Sequence, residues 1–147
     1  MDIIINSIMG QSQSIKKVNF EDIQCLFKNN RKIILINTLK SNEQDCLIKG
    51  TVPIDKEVGM INNNLHNINV TIIVYGKNNV EKEPYNKIKQ LLSLGFYNVY
   101  LYSGGLFQWL LLQDIYGDEE FPTTKKELDI LKFKPRSMFN FLLTDID

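Results

Sequence analysis

The feature that most constrains this chain is the run Val70 to Tyr75, in which every residue is β-branched or aromatic and the flanks, Asn69 and Gly76-Lys77, are not. A run so short and apolar has no polar face to turn to water. It reads as a strand buried on both sides, which calls for a parallel sheet covered on each face. Ile33 to Ile36 repeats the pattern, and both runs are expected as central strands. A third strand is expected over Asn98 to Tyr102, after Leu94-Gly95-Phe96, where Gly95 is placed to end a helix and turn the chain back into the sheet.

Helix signals fill the intervals. Asn19 is a cap for a helix from Phe20 to about Lys28, with Phe20, Ile23 and Phe27 at helical spacing and Glu21 and Asp22 at the positive end of its dipole. Pro84 suits the first turn of a helix continuing through Ile88, Leu91 and Leu92. Gly104-Gly105 leads into an apolar helix over Leu106 to Gln113, and Thr124 with Glu127 has the capping-box spacing of a last helix. Strands alternating with helices predict the α/β class: an open, mainly parallel sheet with helices on both faces.

At 147 residues, 44% of them hydrophobic, the chain is large enough for one core without disulfides or metals. No repeat or low-complexity linker divides it. We expect an N-terminal extension (1–14), a domain (15–133) and a C-terminal segment (134–147), in which Phe139, Phe141, Leu142 and Leu143 need cover from the domain or from a partner. Lys plus Arg equals Asp plus Glu at 17 each, which removes the positive field that attraction to nucleic acid needs. Cys25 and Cys46 are the only cysteines and have no metal spacing, so no metal or cofactor is implied and a reducing, cytoplasmic compartment fits best.

The stretch Met1 to Ile8 is apolar at Ile3, Ile4, Ile5 and Ile8, but it lacks a basic flank and is far shorter than the ~20 residues that span a bilayer. Met9-Gly10-Gln11-Ser12-Gln13-Ser14 has the form of an N-myristoylation site, followed by Lys16 and Lys17. It works only if Met9 initiates and Gly10 is acylated. Membrane association is expected under that condition alone, and with Met1 as the start the segment is a polar linker.

The strand Ile72-Ile73-Val74-Tyr75 with its loop and helix, then Leu94-Gly95-Phe96, Asn98-Val99 and Gly104-Gly105 with Trp109, resembles the second half of a rhodanese domain. In the first half, Ile48-Lys49-Gly50-Thr51-Val52-Pro53 is similar to the stretch where rhodaneses carry a His-Ile-Pro-Gly-Ala motif, with Leu47 in the histidine place. The likeness spans roughly Val18 to Pro122. The blocks Trp109 to Gly117 and Phe121 to Asp129 also resemble a narrower group of rhodanese-like proteins from large DNA viruses and unicellular eukaryotes.

The resemblance implies a cysteine nucleophile at the end of the central strand, opening a loop whose backbone N–H groups hold an anion beneath a helix N-terminus. Here that position is Gly76, which cannot form a covalent intermediate. The loop Lys77-Asn78-Asn79-Val80-Glu81-Lys82-Glu83 offers no Ser, Thr or Cys in its place and no arginine, and Glu81 and Glu83 oppose an anion. Asn37 stands where the family's supporting Asp is implied, and Leu39 where its arginine is.

Cys46 is the candidate outside the loop for thiol chemistry, although a small buried hydrophobe is its commoner role. For Cys25 the core reading is stronger still. His66 reads as a solvated loop histidine and Trp109 as a packing residue. The expected function is therefore a catalytically inactive rhodanese-like interaction or scaffold module with an unidentified protein partner. The alternatives are a sulfurtransferase using Cys46 or a partner's thiol, and a small-anion-binding domain.

Overall fold

A computed structural model describes residues 14–29 and 32–139. Its strands are β1 (Lys17–Val18), β2 (Ile34–Asn37), β3 (Ile72–Tyr75) and β4 (Val99–Tyr102). The α-helices are α1 (Phe20–Asn29), α2 (Glu57–Asn63), α3 (Glu83–Ser93) and α4 (Gly105–Tyr116), with 3-10 turns at Ser41–Glu43, Ile54–Lys56 and Ile130–Phe133. The four strands form one parallel sheet in the order β1-β4-β3-β2, as expected of the α/β class. Each of the three expected strands is present: β2 is shifted by one residue to end at Asn37, and β3 and β4 start two residues and one residue later than the runs that announce them. Next to β2 the chain comes back only at Thr51, which makes a single parallel bridge to Leu35 before Pro53 ends the pairing.

Strand alternation sends successive side chains to opposite faces, and both faces are filled. Ile34, Ile36, Ile72, Val74, Val99 and Leu101 pack with Ile61 of α2 and with Ile88 and Leu91 of α3. On the other face Leu35, Ile73, Tyr75 and Tyr102 pack with Ile23 of α1 and with Leu106, Trp109 and Leu110 of α4. Trp109 is fully buried, its indole N–H donating to the Pro122 carbonyl at 3.1 Å, which is the packing role expected of it.

The helix signals hold at three sites. The Asn19 side-chain oxygen accepts from the N–H groups of Glu21 and Asp22, and Asp22 reaches back to the Asn19 N–H, capping α1. Pro84 lies in the first turn of α3. Gly95, at φ +106°, ends α3, and the Phe96 N–H returns to the Leu91 carbonyl as Phe96 enters the core.

Three expectations are corrected. Thr124 and Glu127 cap no α-helix. The Thr124 hydroxyl is committed to the Leu47 N–H and the Asp45 carbonyl, so its segment lies alongside 45–49, with Ile48 and Thr123 bridged in antiparallel fashion. Glu127 instead accepts from the Asp129 N–H and pairs with Lys132. Cys25 is exposed rather than core, because it sits two residues from Ile23, the buried position of α1, and a two-residue step carries it to the far side of the helix. Phe27 is 38% exposed, with an edge-on contact to Trp109.

His66 is exposed in the turn after α2, as expected. No helix among the described residues is long and apolar enough to cross a membrane. Met9 and Gly10 lie outside the described residues, as do Phe141, Leu142 and Leu143 of the C-terminal segment.

Candidate functional site

β3 ends at Tyr75 in the middle of the sheet, and Gly76 begins the loop that leads to α3. Strand ends at the centre of an open parallel sheet are where such folds build sites. The end of β3 is held by Thr38, whose N–H and hydroxyl both donate to the Tyr75 carbonyl. Gly76 is buried, and a Cβ placed on it would lie 2.7 Å from Pro84 Cγ and 3.1 Å from Thr38 Oγ1. The position therefore lacks a side chain and also lacks room for one.

The loop is tied to its own chain on three sides. The N–H groups of Leu106 and Phe107, in the first turn of α4, donate to the carbonyls of Gly76 and Lys77 at 2.9 Å each. This close approach requires Gly105. It has φ +69°, and a Cβ there would meet the Gly76 carbonyl oxygen at 2.8 Å and the Asn78 nitrogen at 2.9 Å. Asn78 is buried, with its side-chain oxygen accepting from the Val80 N–H and its amide donating to the Phe133 carbonyl at 3.0 Å. Lys77 pairs with Glu43 at 2.8 Å. Burial works to raise the pKa of Glu43, but the Lys77 ammonium and the Lys40 backbone N–H prevail and hold it below the ordinary value. Asn79 and Val80 are exposed, and Glu81 is half-buried.

Over the loop lies a cleft of about 460 Å³ whose charged lining is Lys40, Glu43, Lys77, Glu81, Glu83 and Arg136. Glu81 and Glu83 are thus accompanied by cationic groups, among them a guanidinium that the loop itself lacks. Arg136 is some fifty residues beyond the loop in sequence and reaches the cleft because Phe133, buried in the core, brings the chain back over Asn78. Sequence reasoning missed it, and no local signal marks it.

The first-half residues have become interior structure. Asn37 is 2% exposed, its oxygen accepting from the Leu39 N–H and the Gln44 amide and its own amide donating to Gln44. Leu39 and Leu47 are buried in the core. Tyr75 is fully buried, with its hydroxyl accepting from the Ile48 N–H and sharing a 2.7 Å hydrogen bond with Thr51, and burial pushes its pKa far up. Cys46 is 4% exposed, and its thiol lies 3.2 Å from the Lys125 carbonyl. Burial, then Glu127, pushes that thiol up, away from the thiolate form a nucleophile needs. It does not line the cleft. Among the described residues no group of His, Cys, Asp and Glu could hold a metal ion.

The family model for the rhodanese-like domain matches residues 26–112. Comparison with curated proteins gives no match. Among solved structures, the BH2092 protein of Bacillus halodurans is similar at TM-score 0.57 and 18% identity, over 87% of this chain and 89% of that one. Ygr203w of Saccharomyces cerevisiae, a homologue of single-domain rhodanese and the Cdc25 phosphatase catalytic domain, is similar at TM-score 0.56 and 14% identity, over 79% and 91%. The rhodanese-like domain of the Alr3790 protein of Anabaena sp. gives TM-score 0.54 and 22% identity, over 84% and 87%. At these identities the likeness is one of fold.

Proposed function

The chain belongs to the rhodanese-like domain family, and from that premise we propose that it is a catalytically silent member that works by binding another protein at the face formed by the strand ends. The observation that carries this reading is the packing of Gly76, where Pro84 Cγ would stand 2.7 Å from any Cβ. Real Cβ atoms do not approach so closely, so the position at which the family resemblance implies a nucleophile is shut as well as empty. Loss of the side chain and closure of the space around it are consistent with each other. The buried Leu39, in the place the resemblance gives to an arginine, and the neutral Asn37–Gln44 pair support the same reading.

The test is turnover with thiosulfate and cyanide, and in parallel with p-nitrophenyl phosphate, since a phosphatase homologue shares the fold. We expect neither thiocyanate nor nitrophenolate above a buffer blank. Thiocyanate formation that disappears in Cys46→Ser would replace this reading with a sulfurtransferase using that thiol.

A small-anion-binding role draws support from Lys40, Lys77 and Arg136 around the cleft, but Glu43, Glu81 and Glu83 line it as well. A thermal-shift titration with sulfate and phosphate separates it from the first reading, which predicts no shift.

A further inference from the structure

Helix α4 carries an apolar surface that the other described residues leave uncovered. From Leu106 to Tyr116 its only residues that are not apolar are Gln108, Gln113 and Asp114, a pattern that ordinarily belongs to a helix covered on every side. The domain covers one side. Leu106, Trp109 and Leu110 are buried there, and Gln113 beside them is satisfied by the Phe121 carbonyl and the Thr123 hydroxyl. The opposite side carries Phe107, Leu111 and Ile115, spaced four residues apart along a single ridge. Phe107 is half-buried, Leu111 is 39% exposed and Ile115 69%. By contrast, the exposed positions of α3 are polar at Glu83, Asn86, Lys89, Gln90 and Ser93, with Leu92 alone apolar.

The charges of α4 say what kind of neighbour suits it. Its last turn has Asp114 and no basic residue, and its first turn has no acidic one, the reverse of what the dipole of a lone helix favours. An antiparallel neighbour with the same charges improves both ends, because each Asp114 then lies level with the positive first turn of the other helix. The ridge is also its own complement. Three apolar residues at equal spacing match themselves about a two-fold axis at the middle one, with Leu111 against Leu111 and Phe107 level with Ile115.

We infer that a second copy of this chain covers this face, the two α4 helices packing antiparallel about a two-fold axis at Leu111. Phe107, Leu111 and Ile115 line neither cleft at the strand ends, so the inference uses a different surface and does not rest on the binding reading. One helix of twelve residues per copy makes a contact at the small end of specific interfaces. The dimer should therefore part on dilution.

Sedimentation velocity of the full chain is the first test. We expect the mass to rise from that of one chain to that of two between ~1 and ~500 μM, the span of a weak specific interface, and a chain monomeric throughout overturns the inference. Leu111→Glu sets two carboxylates against each other at the axis and should weaken the dimer about a hundredfold, with Ile115→Glu, at a more exposed position, weakening it about tenfold. Val58→Glu, on α2 and 70% exposed, should leave it unchanged. A dimer that neither α4 variant weakens, or that Val58→Glu weakens as much, is not the one inferred.

Cross-linking reads the orientation, in a Cys25→Ser background that removes the exposed native thiol. About the proposed axis position 111 meets its own copy, whereas the two copies of position 115 stand ~12 Å apart along the helices, beyond the ~4.4–6.8 Å between Cα atoms that a disulfide spans. Leu111→Cys should give disulfide-linked dimers and Ile115→Cys should not. Equal yields overturn the antiparallel pairing in favour of a parallel one, and any other pattern overturns the axis at Leu111.

Discussion

The two stretches that a rhodanese resemblance assigns to one site, the loop after β3 and the segment 46–51, have been closed in opposite ways. The segment 46–51 is mostly interior: Cys46, Leu47, Ile48 and Thr51 are buried while Lys49 and Gly50 stay exposed, and the Tyr75 hydroxyl ties Ile48 and Thr51 to the central strand. The loop has stayed at the surface. Its carbonyls and Asn78 are bound to the chain, yet Asn79 and Val80 face solvent above a charged cleft. Of the two stretches, one has thus passed largely into the core and the other keeps exposed residues, and only the second is open to a partner.

Ile48→Ala probes the contrast most strongly. Ile48 has no exposed surface, and deleting such a side chain typically costs about 2–5 kcal/mol in transfer and cavity terms. Val80→Ala, at an exposed loop position, should stay within about 0.5 kcal/mol. Urea unfolding of both variants checks this, and comparable losses would erase the distinction between the two stretches.

Gly76→Cys should have an intermediate effect. The new Cβ and sulfur must push against Pro84 and Thr38, an overpacking that costs about 1–3 kcal/mol, and thiosulfate turnover should remain at the blank or very weak. A variant as stable as the parent that also produced thiocyanate at a family-like rate would mean the site is intact apart from its nucleophile.

The smallest effect concerns the ion pair that joins the loop to the turn at Ser41–Glu43. Glu43 has a depressed pKa, so its contribution is present above the ordinary carboxylate value of about 4.5 and is lost as pH falls through the lowered value. Glu43→Gln should cost no more than about 1 kcal/mol at neutral pH, and the difference from the parent should vanish in acid. Thermal melts from pH 7 down to pH 3 measure it. A constant difference across that range would assign the loss to packing instead of charge.

Much of the fold was legible in the sequence. Strands buried on both faces announce themselves because their residues are nearly all apolar, Asn37 at the end of β2 being tolerated by its hydrogen bonds, and Asn19, Pro84 and Gly95 act on the backbone within a few residues of themselves. These are local causes. The position of Gly76 at the end of β3 was legible for the same reason. The two-residue strand β1 was not, since Lys17 and Val18 acquire strand geometry only by pairing with Leu101 and Tyr102.

The sequence by itself determined the α/β class, the order of the main strands and helices, and the absence of a nucleophile at Gly76, because each depends on periodicity or on the identity of a single residue. Only the tertiary structure decided that Pro84 fills the space a side chain would need there, that Thr124 binds Leu47 in place of capping a helix, and that Arg136 joins Lys40 and Lys77 at the cleft. Each of these last joins residues far apart along the chain or set in place by its packing. Their proximity follows from how helices and sheet close over the core, and no local pattern in the sequence encodes it.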